Sequence, residues 1–128
     1  MSKLESPLTR QYWQEIGGTL IEEFPAVKGG PEQGRRLLDG VVVLGAPTGT
    51  AKAHEIEIRN RDIVIIQTKA QRLGMYLLGQ ALFSRHLMAA FKPKSIETVA
   101  VCTKGDAVLE PIALQYGIKV VIYPVHNR

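Results

Sequence analysis

The chain has 128 residues, 45% of them apolar and 22% charged, the proportions of one domain able to bury a core. Sixteen Lys and Arg against twelve Asp and Glu give a net charge of +4 and a pI near 9.4, a lean toward polyanionic partners. No apolar run approaches the ~18 residues that cross a bilayer, Met1-Ser2-Lys3-Leu4-Glu5 lacks the apolar stretch of a signal peptide, and the single cysteine, Cys102, excludes an internal disulfide or a thiolate zinc cluster, so a cytoplasmic protein without a membrane partner is expected.

Ser6-Pro7 opens the first predicted helix, with Ser6 as N-cap and Pro7 at the first helical position. Leu8, Tyr12, Ile16 and Leu20 recur every four residues, which carries the helix to about Glu23 across Gly17-Gly18. Phe24 to Val27 reads as a short extended piece, and Lys28 to Gly34 as a loop. Leu37 to Leu44 and Asp62 to Lys69, rich in Val and Ile, are strands; His54 to Arg59 alternates weakly and is a candidate extra hairpin strand. Gln71 to Phe91 is a helix apolar on most of its surface, Ile96 to Thr103 a strand, Asp106 to Tyr116 a helix ended by Gly117, and Ile118 to Tyr123 the last strand. The order is α-β-β-(β)-α-β-α-β over a single domain spanning 1–128, an α/β mixed sheet flanked by helices, with a parallel final strand–helix–strand unit.

Polar residues interrupt the two central strands where a buried sheet favours apolar ones. Asp39 shares a face with Leu37, Val41 and Val43. Gln67 and Lys69 share a face with Ile63 and Ile65 and lie about 6.6 Å apart, two rises of ~3.3 Å. Unpaired buried charge costs several kcal/mol, so these groups need partners or an ion. An acid, an amide oxygen and a lysine at one strand end suit a hard divalent cation such as Mg²⁺, which takes oxygen ligands and keeps several waters. A strand-end ion pair between Asp39 and Lys69 is the alternative reading of the same residues.

With Asp39 in Leu37-Leu38-Asp39-Gly40-Val41 and Lys69 in Ile65-Ile66-Gln67-Thr68-Lys69-Ala70, followed by a helix and a strand–helix–strand finish, the chain resembles the PD-(D/E)XK nuclease superfamily. The resemblance covers about residues 9–124 and extends to the closing segment from Val101-Cys102-Thr103 to Gly117-Ile118. It implies a restriction-endonuclease-like fold and metal-dependent hydrolysis of DNA phosphodiester bonds. Asp39, the Gln67 oxygen and the Thr68 carbonyl would hold Mg²⁺, with Mn²⁺ as its substitute. Lys69 would act at the scissile phosphate, and Glu15 would be the acid that Holliday-junction resolvases and related members carry on the preceding helix. Gln67 stands where the superfamily usually has Asp or Glu, and a neutral amide holds metal less tightly. Leu38 stands where Pro is common. Gln80, eleven residues after Lys69, matches part of a helical motif in some branches, but Ser84 occupies the position of its Tyr.

Arg35, Arg36, Arg72 and Arg85 are candidate DNA phosphate contacts; taken singly, each also reads as an exposed solubility charge. Glu15 could equally be solvated beside the apolar stripe. Gly45 to Lys52 fails the spacing of a phosphate-binding P-loop, and His54, His86 and His126 have no ligand spacing. The apolar circumference of the 71–91 helix needs cover on more than one side, from the first helix or from a second subunit, so a homodimer is expected. Two alternatives to a nuclease stand: an inactive nuclease-fold subunit for DNA binding or assembly, for which Gln67 argues, and an unrelated α/β ligand-binding domain.

Overall fold

The computed structural model describes residues 3–125. Its first element is α1 (Glu5–Ile16), which begins after Leu4 and carries Ser6 and Pro7 inside its first turn. Pro is tolerated there because the first N–H groups of a helix have no intrahelical acceptor. The helix ends seven residues before Glu23. Gly17 and Gly18 adopt φ of 74° and 83°, and a Cβ on Gly18 would lie 2.6 Å from the Val43 carbonyl oxygen. Only glycine fits that left-handed, close-packed position. Trp13 Nε1 donates to the Gly18 carbonyl at 2.8 Å and closes the turn.

Strand β1 (Thr19–Val27) follows, in place of the predicted end of the helix. Leu20 lies four residues after Ile16, and a spacing of four satisfies a helical stripe and alternate strand positions equally. The glycine pair resolves that ambiguity in favour of the strand. β2 (Arg36–Val43) runs antiparallel to β1, with Ile21 opposite Val41, and the two-residue β3 (Gly49–Thr50) pairs parallel to β1. His54 to Arg59 does not form a hairpin strand. Ala53–Glu55 is a 3-10 turn, fastened by the Lys52 N–H donating to Glu55 Oε1 at 2.7 Å.

β4 (Asp62–Thr68) lies between β2, antiparallel, and β5 (Ser95–Cys102), parallel; β6 (Ile118–Ile122) adds a further parallel strand. The result is a mixed six-stranded sheet in the order β3-β1-β2-β4-β5-β6. α2 (Met75–Ala89) starts four residues later than Gln71, because Gln71 and Leu73 still exchange backbone bonds with Thr103 and Lys104. α3 (Leu109–Gln115) joins β5 to β6, and Gly117 ends it at φ 71°. Relative to the predicted order, the structure adds β1 at the front and replaces the optional hairpin strand with β3.

α1 covers one face of the sheet, where Tyr12 packs with Leu20, Val42, Val64, Ile66, Val99 and Val101. α2 and α3 cover the other, through Leu77, Ala81 and Ala113 on Ala100, Cys102 and Ile118, and through Met88 on Val41, Ile63 and Ile65. Each of these aliphatic side chains contributes roughly 1.5–3 kcal/mol on burial. Because α1 is on the opposite face, it leaves the outer surface of α2 uncovered. Met75, Tyr76 and Phe83 are 77%, 71% and 71% exposed. Among the described residues no helix is long and apolar enough to cross a membrane.

Candidate functional site

The β2–β4 ladder runs from Val43 opposite Ile63 to Gly40 opposite Ile66 and stops there. The next residues, Asp39 and Gln67, replace it with side chains. Asp39 Oδ2 accepts the Thr68 N–H at 2.8 Å, and Gln67 Oε1 accepts the Asp39 N–H at 3.4 Å. Two backbone donors that the lost ladder would leave bare are thus satisfied. The opposite edge of β2 is irregular at the same place. Pairing with β1 passes from Glu22–Gly40 to Phe24–Leu38 and skips Glu23–Asp39, with Glu23 held at φ 50°. A non-glycine residue in that region costs on the order of 1 kcal/mol, and such strain gathers at functional sites. Asp39 therefore sits where the β4 ladder ends and where a single β1 pair is missing from an otherwise continuous register.

Alternation along β4 sends Gln67 and Thr68 to opposite faces, as the two-residue period predicts. Gln67, 5% exposed, donates its amide nitrogen to Ser84 Oγ of α2 at 2.7 Å. Thr68 shares a hydroxyl hydrogen bond of 2.7 Å with Thr9 of α1. That contact fixes the N-terminal turns of α1 over the strand end, and one turn earlier Glu5 Oε2 accepts the Ala70 N–H at 3.3 Å. Burial raises the Asp39 carboxyl above the ordinary range; the Thr68 N–H bond opposes this, while Glu5 and Glu23 push it further up.

The structure thus brings together Asp39, Gln67 and Thr68. Lys69 follows on the strand, its N–H bonded to the Val101 carbonyl at 2.9 Å, and it forms no ion pair with Asp39. Glu15 stands apart. It lies ten residues beyond Glu5, about 15 Å along the helix axis, and its carboxylate accepts the Tyr123 hydroxyl beyond β6. The acid that α1 brings to the strand end is Glu5. Arg35 and Arg36 are exposed at the start of β2. Arg72 donates to the Gly105 carbonyl at 3.2 Å, and Arg85 to the Tyr116 carbonyl at 2.8 Å, where it caps the C-terminal end of α3. His126 lies outside the described residues.

Three partners escaped the sequence reading: Thr9, Ser84 and Glu5. Ser84 has a signal there: Leu77, Ala81, Ser84 and Met88 form the buried stripe of α2, and a lone hydroxyl on such a stripe requires a partner. Glu5 has a weaker one, since the first turn of a helix favours any acid.

Among the described residues no group of three or more His, Cys, Asp or Glu side chains is arranged to hold a metal ion. Oxygen donors nonetheless gather at the strand end. They are the Asp39 carboxylate, the Glu5 carboxylate and the Thr68 carbonyl, which shares the β2-facing edge of β4 with the Thr68 N–H. Gln67 offers a neutral oxygen already turned toward a backbone donor. No family model, curated protein or solved structure matches the chain.

Proposed function

We propose that the chain is a metal-dependent phosphodiesterase acting on DNA, built on a restriction-endonuclease-like fold. The observation that carries this reading is the side-chain exchange at the end of the β2–β4 ladder. It gathers an acid, a carbonyl edge and, at the next position, a lysine at one strand end, on a chain with net charge +4. Asp39, the Thr68 carbonyl and Glu5 would hold Mg²⁺, with the Gln67 oxygen as a weak fourth donor. Bound there, the ion supplies Lewis-acid polarisation of the phosphoryl oxygen and a water of lowered pKa. Asp39 is held through Oδ2 by the Thr68 N–H bond, and Oδ1 would be the oxygen that meets the ion. Lys69 stabilises charge that builds on the phosphate, an interaction strongest in the transition state.

A second reading has its own observation. Both ends of the Gln67 amide are engaged, by Asp39 and by Ser84. That describes equally well a site whose second acid has become a structural clamp, in a DNA-binding subunit without turnover. Calorimetric titration with Mn²⁺ separates the two. The hydrolytic reading expects binding that Asp39→Ala abolishes and that Lys69→Ala leaves within about 2-fold, since Lys69 acts only once charge builds on the phosphate. Equally weak Mn²⁺ binding by wild type and Asp39→Ala would leave the clamp reading in its place.

A further inference from the structure

A groove of about 670 Å³ runs between the start of β2 and the outer face of α2, and Gln67 and Ser84 line it. Its α2 wall, which also includes Met75 and Ser84, carries Tyr76, Gly79, Gln80, Phe83 and Leu87, the i, i+3, i+4, i+7 stripe of a single helix face, extended by one more turn. Tyr76 and Phe83 are each 71% exposed, so two aromatic rings face solvent on the α2 side of the sheet, in the groove that Gln67 reaches. They stand seven residues apart, about 10.5 Å along the axis. Gly79 lies between them, and a Cβ there would meet nothing within 4 Å. At about 3.4 Å per stacked base, that interval holds about two bases between the rings.

We infer that this groove binds single-stranded nucleic acid, with unpaired bases stacked on Tyr76 and Phe83 and the backbone drawn along Arg36. The inference rests on the hydrolytic reading only in taking Gln67 as the edge shared by groove and site. The groove wall carries Arg36 and no carboxylate, which suits a polyanion. Exposed rings offer nothing to the phosphates of a duplex, whose bases already stack on each other, whereas every unpaired base has a face to give. A second copy of the chain is a poorer occupant, because it would cover Arg36 in a lining that offers no carboxylate to receive it.

The test is fluorescence anisotropy in EDTA, so that no strand is cut, with a labelled oligothymidylate of about a dozen nucleotides and a duplex of equal length. Tyr76→Ala and Phe83→Ala should each weaken oligothymidylate binding by roughly 5- to 100-fold. Tyr76→Phe should stay within about 2-fold, because it keeps the ring, and duplex should bind more weakly than single strand. Arg36→Ala should lower the log–log salt slope by about 0.7. Because the rings are exposed, the variants should unfold at the wild-type temperature. Affinity unchanged in both ring variants overturns the inference. A wild-type dimer that the ring variants turn into monomers, with unchanged DNA affinity, assigns the face to a second copy instead. Ring-dependent binding without cleavage upholds the groove and removes the hydrolytic reading; cleavage with ring-independent binding does the reverse.

Discussion

Gln67 donates its side-chain nitrogen to Ser84 Oγ at 2.7 Å, and that bond determines where its oxygen points. The Asp39 N–H on the other side is a donor, so an oxygen must face it, and the amide orientation is fixed by the network. A carboxylate at this position would keep both contacts, because the Ser84 hydroxyl can turn to donate. It would also place a second negative charge beside Asp39, in a position only 5% exposed.

Gln67→Glu is therefore expected to destabilise the metal-free protein by roughly 1–3 kcal/mol, the cost of poorly compensated buried polarity. Added Mg²⁺ or Mn²⁺ should raise its unfolding temperature more than that of wild type, since the extra charge strengthens any cation held there. Thermal unfolding with and without the ion measures both effects. A variant indifferent to divalent cations would place this position outside a metal site.

Asp39 supplies a pH signature. Its carboxyl titrates above the ordinary value of 3.8, chiefly through burial. The stability contributed by the protonated form is fully present below that ordinary value and is lost as pH rises through the raised value of the folded chain. Asp39→Asn keeps an oxygen for the Thr68 N–H and removes the charge. It should melt above wild type at pH 7, and the gap should narrow as pH falls below the ordinary carboxylate range. A structural ion-pair acid would show the opposite sign at neutral pH. Unfolding curves of the two proteins from pH 7 to pH 3 decide the matter.

Glu5 and Glu15 share one helix and should behave differently. Glu5 accepts the Ala70 N–H at the strand end, while Glu15 accepts the Tyr123 hydroxyl away from it. Glu5→Gln should weaken Mn²⁺ binding by about 10-fold or more, as removal of one carboxylate from a water-rich site does. Glu15→Gln should leave it unchanged. Calorimetry on the pair checks this, and equal effects would contradict the placement.

Gly18→Ala tests the turn that ends α1. The new Cβ would sit 2.6 Å from the Val43 carbonyl oxygen at φ 83°, so a loss of roughly 2–4 kcal/mol is expected in chemical denaturation. Gly79→Ala, which meets open space on α2, should instead be neutral or stabilising by up to about 1 kcal/mol.

Most of the sheet was legible because β2, β4, β5 and β6 are dense in Val and Ile between turn residues. β1 was not, since Leu20 continues a four-residue spacing and the strand carries Glu22, Glu23 and Pro25. Glu15 followed from the resemblance alone, which asks for an acid on the preceding helix, whereas the acid that α1 places at the strand end, Glu5, lies in the first turn. Asp39 and Gln67 were visible as polar interruptions in apolar strands, and Thr68 entered only through the resemblance, as a backbone carbonyl. The hydrogen bonds among the three were not visible, because they depend on where the β2–β4 ladder stops, and ladder length is set by the packing of both neighbours.

The most direct measurement is the fate of an end-labelled DNA strand incubated with the protein in Mg²⁺. The account predicts cleavage by wild type, abolished by EDTA and by Asp39→Ala, and lowered by about 100-fold or more in Lys69→Ala, which retains Mn²⁺ binding. Intact DNA with the wild-type protein in Mg²⁺ and in Mn²⁺, on single-stranded, branched and duplex substrates alike, would contradict it.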